Sequence, residues 1–187
     1  DLVWQPWDIV ELIKAIFMDY YIGTLLLWKA GNQNIKALNC EQVYGYNGTG
    51  KPQHIVLDGQ QRLTAIYYSF FAPEKLYPDR KKRCLFFLKI KELLNGNFDD
   101  AFYYDWETKP VKKLIDNDQE QYEKGIIPLM ILGKNRYAFI DWIRGYRKYL
   151  EDNEISGLSP KNADAIEDIF RDLLESYYIS YIELDRD

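Results

Sequence analysis

The centre of the chain reads Ile55-Val56-Leu57-Asp58-Gly59-Gln60-Gln61-Arg62-Leu63-Thr64. It opens with three apolar residues, two of them β-branched, which favours a buried strand. Gly59 permits a tight turn after that strand. Beyond the turn, apolar residues recur at helical spacing until Pro73: Leu63, Ile66, Tyr67 and Phe70. The segment therefore predicts a strand, a turn and a helix in immediate succession.

The sequence around this segment predicts further elements of a mixed fold. Apolar residues at spacings of three and four predict a helix over residues 8–20. Apolar runs predict strands at 24–28 and 84–90, and a weaker pattern predicts a strand at 42–46. Around 97–133, aromatic and charged residues alternate without a periodic pattern, so no elements are predicted there.

The last part of the chain predicts two long helices and a closing strand. The helices are expected at 139–150 and from Pro160 onward, and the strand at 178–184. The expected fold class is α/β (α+β). A small mixed β-sheet with flanking helices should occupy residues 1–95, and a mainly helical lobe ending in a strand should occupy 96–187. We expect the two lobes to form one integrated domain.

Composition excludes several classes of protein. The chain has 187 residues, of which 47% are hydrophobic, enough for a sizeable core. A net charge of −5 argues against the whole chain binding nucleic acid non-specifically. Two cysteines, Cys40 and Cys84, form neither a disulfide framework nor a four-cysteine zinc site. The single histidine, His54, excludes centres that need two, and a structural role is expected for it. Free thiols favour a cytoplasmic location. We expect no membrane contact, because no apolar run reaches the ~18 residues of a membrane span.

Two segments have the composition of phosphate-binding loops. The segment Gly45–Pro52 follows the Walker A pattern up to its last position, where Pro52 replaces the Ser or Thr that holds magnesium. A strand rather than a helix is predicted after it, so we interpret this match as chance. The turn Asp58–Arg62 does precede a helix, and the unpaired N–H groups of a helix start bind anions readily.

Each residue of that turn has a chemical role available to it. Gly59 allows a ligand to approach the backbone closely, and Arg62 can hold a phosphate with its planar guanidinium. Asp58 can bind magnesium or orient a water molecule, and Gln60 and Gln61 can donate to phosphate oxygens or position that water. On this interpretation Arg62 has no protein partner when the nucleotide is absent, so its removal should cost little stability.

A purely structural interpretation fits the same residues. Asp58 as N-cap and Gln61 three residues later match a capping box, which needs no ligand, and Arg62 would then pair with a nearby carboxylate.

The basic run Arg80–Arg83 is interpreted as a solvated hairpin, with a DNA or phosphate contact as the alternative. Spacing alone leaves these alternatives open.

The segment 55–64 resembles the signature of the N-terminal domain of GmrSD-type, modification-dependent restriction endonucleases, also called domain of unknown function 262 (DUF262). Leu2-Val3-Trp4 is similar to the end of that family's opening motif, in which a Gln-Arg pair comes first. Residues 8–28 follow in the family's order, and 179–187 resembles the strand before its Phe-x-x-x-Asn motif. The central motif also resembles the Gly-x-x-Arg box of the ParB/sulfiredoxin superfamily, whose turn binds nucleotide phosphates.

The resemblance implies a ParB/sulfiredoxin-like nucleotide-binding lobe. Its function would be to bind and hydrolyse a nucleoside triphosphate in a type IV restriction or anti-phage defence protein, with the nuclease in a C-terminal His-Asn-His domain. It implies that Asp58 binds Mg²⁺. The residues expected to contact the nucleotide are Gly59, Gln60, Gln61, Arg62 and Thr64. The residues expected to act in catalysis are Asp58, Gln60, Gln61 and Arg62.

Three functional hypotheses remain open at this stage. Besides an NTP-hydrolysing enzyme module, the domain could be a binding module that senses nucleotide or DNA without turnover, or a purely structural assembly domain. DNA contact is expected only through the full-length protein, and an oligomer is an open alternative. We expect the Gln-Arg pair just before Asp1 and further chain after Asp187.

Overall fold

The computed structural model describes residues 2–30 and 40–185. The helices are α1 (Pro6–Phe17), α2 (Gln60–Phe71), α3 (Ile90–Leu94), α4 (Phe98–Ala101), α5 (Lys109–Ile115), α6 (Asp118–Lys124), α7 (Met130–Lys134), α8 (Arg136–Asp152) and α9 (Pro160–Ser176). The strands are β1 (Leu25–Lys29), β2 (His54–Asp58), β3 (Cys84–Lys89), β4 (Phe102–Trp106), β5 (Ile126–Pro128) and β6 (Tyr181–Leu184). The predicted α/β class is confirmed.

The strands form two three-stranded sheets. In the first, of order β2-β1-β6, the central strand β1 runs antiparallel to β2 and parallel to β6. In the second, of order β4-β3-β5, both neighbours run antiparallel to β3. The first sheet is small and mixed, as predicted, but the expectation that it lies within residues 1–95 is wrong, because its third strand is β6. Strand β3 belongs instead to the second sheet, beside β4 and β5 from the segment without a readable pattern.

The predicted strand at 42–46 is wrong. The chain turns there instead: the N–H of Tyr46 donates to the carbonyl of Val43 at 2.9 Å, and Gly45 has a φ of +85°. The hydroxyl of Tyr44 donates to the carbonyl of Leu76 at 2.5 Å. Side-chain packing against the segment that follows α2 thus takes precedence over strand propensity.

Helix α1 covers the core with one face and leaves the other to solvent. Its buried residues include Ile9, Leu12, Ile13 and Ile16, the spacing that predicts the helix. The backbone N–H of Gln5 donates to the carboxylate of Asp8 at 2.9 Å, which fixes the start of the helix. The remaining face, which carries Glu11, borders a cleft described below.

The core joins both parts of the sequence. The ring of Phe17 on α1 lies 4.8 Å from that of Phe102 on β4 and 5.3 Å from that of Phe170 on α9, between ring centroids. Strand β3 is buried from Cys84 to Leu88, whereas all four residues of β6 are exposed. The division into lobes at residue 95 stays a prediction. No helix in the described ranges is both long and apolar enough to cross a bilayer.

Candidate functional site

A cleft of about 320 Å³ lies at the predicted strand–turn–helix segment. It is lined by Trp4 and by Leu57–Arg62. Strand β2 runs through Asp58, Gly59 makes the turn, and α2 begins at Gln60. A side chain at Gly59 would place its Cβ 2.3 Å from Cδ2 of Leu25, and its φ is +85°. The positive φ therefore favours glycine here without any ligand, since the Leu25 side chain could move but the backbone conformation would stay strained.

The capping-box interpretation of this turn is wrong. The N-cap of α2 is Gly59, which has no side chain, because β2 extends one residue further than a cap at Asp58 would allow. The Asp58 side chain is 75% exposed, and its Oδ2 lies 3.5 Å from Nη2 of Arg62, at the limit of a hydrogen bond. The Asp58 carboxylate is thus presented to the cleft and not to the helix backbone.

Arg62 is held by backbone carbonyls of the segment before β1. Its Nη1 donates to the carbonyl of Ile22 at 2.8 Å, and its Nη2 donates to that of Thr24 at 3.0 Å. Gly23, with φ +94°, brings that backbone so close that a Cβ would lie 2.3 Å from Nη1. The expectation of an Arg62 without protein partners is therefore wrong. The guanidinium still lines the cleft.

Gln61 connects the turn to the N-terminal segment. Its Oε1 accepts hydrogen bonds from the backbone N–H groups of Val3 at 2.8 Å and Trp4 at 3.4 Å. The hydroxyl of Tyr77 contacts the same segment through the Trp4 carbonyl, at 2.5 Å. The side chain of Gln60 is exposed and donates to the carbonyl of Val56 at 2.8 Å. Gln61 thus positions a wall of the cleft.

A second cleft, of about 530 Å³, adjoins the first. The side chains of Trp4 and Arg62 line both clefts. Its other walls come from α1 and from the segment after it: Asp8, Glu11, Leu12, Ala15, Tyr21 and Ile22. Sequence reasoning did not identify this cleft, although Asp8 and Glu11 lie three residues apart on α1, at helical spacing.

Comparison with known proteins identifies the family. A family described as GmrSD restriction endonuclease, N-terminal domain, matches residues 1–187. The chain belongs to this family. It is also 27% identical over 157 residues to "Uncharacterized protein MJ0686" of Methanocaldococcus jannaschii, an alignment that covers 78% of this chain and 27% of that protein. The chain thus spans about a quarter of the length of that relative.

The structure places the segment 2–4 beside the segment 55–64, the two stretches that carry the resemblance. Trp4 lines the first cleft together with Leu57–Arg62. Of the residues predicted to form the site, the structure brings five together: Asp58, Gly59, Gln60, Gln61 and Arg62. The sixth, Thr64, is 6% exposed in the second turn of α2 and lines neither cleft.

Both clefts of this GmrSD-family domain carry charges of both signs. The first has the N-terminal end of α2, Arg62 and the Asp58 carboxylate, and Arg62 also lines the second. The second has two carboxylates from α1, Asp8 and Glu11. Lys14 pairs with Glu11 and with Asp99, each at 2.8 Å. These two hydrogen bonds, the one to Asp99 first, raise the pKa of Lys14 above its ordinary value. The cation therefore stays charged and holds Glu11 in place.

Within the described ranges, no group of three or more His, Cys, Asp or Glu side chains has the arrangement of a metal site. Asp58 is the carboxylate that lines the first cleft. One carboxylate suits a magnesium ion that takes most of its ligands from phosphate oxygens and water, which is how Mg²⁺ accompanies nucleotides. The donor set thus fits a nucleotide-borne ion and not a permanent metal centre.

The other candidates from the sequence have structural roles. Arg83 is buried and pairs with Glu74 at 2.6 Å and with Glu107 at 3.3 Å, so the solvated-hairpin interpretation is wrong for this residue. His54 on β2 contacts Glu183 on β6 at 2.5 Å across β1, as its expected structural role requires. The Walker-like loop leads into strand β2, so its glycines do not precede a helix.

Proposed function

We propose that this domain binds a nucleoside triphosphate with its phosphates on the turn Asp58–Arg62. One observation carries the proposal: the opening and central motifs of the family line the same cleft, and Gln61 joins them through its hydrogen bonds to Val3 and Trp4. Asp58 caps no helix and its side chain is 75% exposed, so its carboxylate is available to a ligand.

The chemistry of the turn suits an anion. Helix α2 has 12 residues, so its N-terminal end presents backbone N–H groups and a partial positive charge. Arg62, in the first helical turn, adds a full charge. A guanidinium has more N–H donors than the carbonyls of Ile22 and Thr24 use, so donors remain for a phosphate oxygen. The two carbonyls fix its orientation before a ligand arrives, which reduces the entropy lost on binding.

Hydrolysis of the bound nucleotide is the second part of the proposal. Asp58 would hold Mg²⁺, which neutralises charge on the phosphates when it is bound, and the side chains of Gln60 and Gln61 lie where a water molecule could be oriented. Since Gln61 accepts hydrogen bonds from the backbone of Val3 and Trp4, Gln60 is the better candidate for that water. The motif then reports nucleotide turnover to the rest of the parent protein.

The parent protein, on this proposal, is a modification-dependent restriction or anti-phage defence protein of the cytoplasm. Its nuclease domain lies outside residues 1–187, because the only histidine here, His54, is engaged with Glu183.

The alternative is a binding module that senses nucleotide or DNA without turnover. The firm attachment of Arg62 to Ile22 and Thr24 favours that alternative, since an arginine held this way has less freedom to follow a reacting phosphate.

The test is phosphate release from ATP, GTP, CTP and UTP, each with Mg²⁺, together with the thermal shift that each nucleotide produces. Release that is lost in Asp58→Asn but retained in Asp79→Asn supports hydrolysis at the turn. Asp79 is a suitable control because it is exposed and, at φ +56°, has a conformation that asparagine also tolerates. A thermal shift without phosphate release establishes the sensing module. If the intact protein shows neither a thermal shift nor phosphate release with any of these nucleotides, the proposal of nucleotide binding is contradicted.

A further inference from the structure

Hydrogen bonds to both of its backbone groups fix the position of Trp4. Its N–H donates to Oε1 of Gln61 at 3.4 Å, and its carbonyl accepts the hydroxyl of Tyr77 at 2.5 Å. Tyr77 is 4% exposed, so its ring is anchored in the core. Residues 2–5 come before α1 and belong to no helix or strand. Side chains from two other parts of the chain thus hold Trp4 where no regular element does.

The side chain of Trp4 borders the proposed nucleotide site. It is half-buried, packs against the core, and lines both clefts, as Arg62 does. The indole and the guanidinium therefore border the same space, and a nucleotide whose phosphates lie at Arg62 would bring its base near this ring. Because the backbone of Trp4 is fixed and its ring is packed on the core, ordering this side chain around a ligand costs little entropy.

The surroundings of Trp4 suit stacking better than recognition of a base by hydrogen bonds. Every base has a π-face, so stacking on an aromatic side chain tolerates any base and favours the larger purines modestly. Base-specific hydrogen bonds would need free polar groups beside the ring. The carboxylates of the second cleft are engaged, since Asp8 accepts the N–H of Gln5 and Glu11 pairs with Lys14.

Resting on the proposed nucleotide function, we propose that Trp4 stacks on the base of the bound nucleotide, and that the domain accepts all four nucleoside triphosphates with purines ahead of pyrimidines. The turn Asp58–Arg62 contacts the phosphates, and the indole supplies the affinity for the base. The proposal does not depend on which cleft receives the base, since Trp4 lines both. Gln61 and Tyr77 are then positioning residues for the ring, because they hold its backbone.

The first test compares ATP, GTP, CTP and UTP with methyl triphosphate, which has the phosphates but neither base nor sugar. Affinities of the intact protein with Mg²⁺ are measured by calorimetry. We expect ATP to bind at least about five-fold more tightly than methyl triphosphate, the lower limit for stacking one base, and about three-fold more tightly than UTP. In Trp4→Ala the affinity for ATP should fall at least about five-fold and that for methyl triphosphate should stay unchanged. The control, Trp7→Ala, removes an indole that is 57% exposed on α1 and lines neither cleft, so it should keep both affinities.

The second test detects the ring contact directly. Trp4→Phe keeps a ring that can stack and removes the indole fluorophore. This variant should retain the affinity for ATP within about three-fold, whereas the quenching of tryptophan fluorescence by ATP should be lost. Trp7→Phe, the matched control, should keep the quenching. Quenching that is equal in wild type and Trp4→Phe would contradict a contact between the base and Trp4.

The remaining outcomes separate this proposal from the proposed function. Equal losses for ATP and methyl triphosphate in Trp4→Ala would overturn the stacking proposal and leave nucleotide binding intact, as would nucleotides that bind no more tightly than methyl triphosphate. Purines and pyrimidines that bind equally, and lose equally in Trp4→Ala, would assign the ring to the sugar. A preference above about a hundred-fold for one base would exceed what stacking provides. If none of the four nucleotides and no methyl triphosphate binds, the proposed function itself fails.

Discussion

Replacing Arg62 should destabilise the domain strongly even without a nucleotide. The guanidinium donates to two carbonyls, of Ile22 at 2.8 Å and Thr24 at 3.0 Å, and its side chain is 18% exposed. A hydrogen bond with a charged partner contributes ~1.5–3 kcal/mol net. The two carbonyls are partly accessible to water, which compensates for some of the loss, so we expect Arg62→Ala to lower the free energy of unfolding by about 2–4 kcal/mol.

The measurement is urea denaturation, monitored by circular dichroism and by tryptophan fluorescence. Arg62→Lys keeps the charge but cannot span both carbonyls, so it should lose about half as much. Arg144→Ala is the control: its side chain is 71% exposed and its ion pair with Asp141 is 3.6 Å long, so it should lose less than about 0.5 kcal/mol. If Arg62→Ala loses as little as this control, the guanidinium does not hold the segment Ile22–Thr24.

Three further predictions concern stability. Asp58→Ala should change the free energy of unfolding, measured in urea, by less than about 0.5 kcal/mol, because Asp58 is not a helix cap. A loss above ~1 kcal/mol would instead show that Asp58 does cap α2. Asp19→Gly should raise the free energy of unfolding by about 0.5–1 kcal/mol, since Asp19 has φ +55° and carries negative charge just beyond the C-terminal end of α1. Asp19→Asn removes the charge and keeps a side chain at this φ, so it should give only the part of the gain that comes from the charge. Burial raises the pKa of Tyr103, Tyr122 and Tyr146 to about 12. The unfolded chain releases these protons near pH ~10, so stability is intact below that pH and falls between about pH 10 and 12. The free energy of unfolding measured in urea should therefore be lower at pH ~11 than at pH ~9, and an equal value at both would contradict this.

Most long elements of the fold were predictable because their own residues determine them. The apolar spacing on α1, α2, α8 and α9 and the apolar runs of β1, β2 and β3 predict these elements, and the structure confirms them. The short elements between 97 and 133 were not predictable. Strand β5 has only three residues, too few to show a periodic pattern. It forms because it pairs with β3, for example Ile127 with Leu88, and that pairing depends on the tertiary fold.

The candidate site was also predictable only in the part that local sequence determines. Local sequence predicts the strand, the turn and the helix start, and these place Asp58–Arg62 together. It does not predict the partners of the side chains, because Arg62 bonds to Ile22 and Thr24, about 40 residues away, and Gln61 bonds to Val3. The second cleft was missed for the same reason, since its walls come from segments that meet only in the folded chain.

These distant partners make the turn a structural junction as well as the proposed phosphate site. Gln61 attaches the N-terminal segment, and Arg62 attaches the segment that leads into β1. A phosphate bound between them would contact side chains whose positions depend on both segments. Binding and local stability are therefore linked, and a nucleotide should slow hydrogen exchange most at the amides of Val3, Trp4 and Gly23. Variants at Gln61 or Arg62 alter both properties at once, whereas Asp58 lies exposed at the cleft, with its Oδ2 3.5 Å from Nη2 of Arg62. A loss of nucleotide binding in Asp58→Asn with unchanged stability would thus separate the site from the junction, which no variant of the two attachment residues can do.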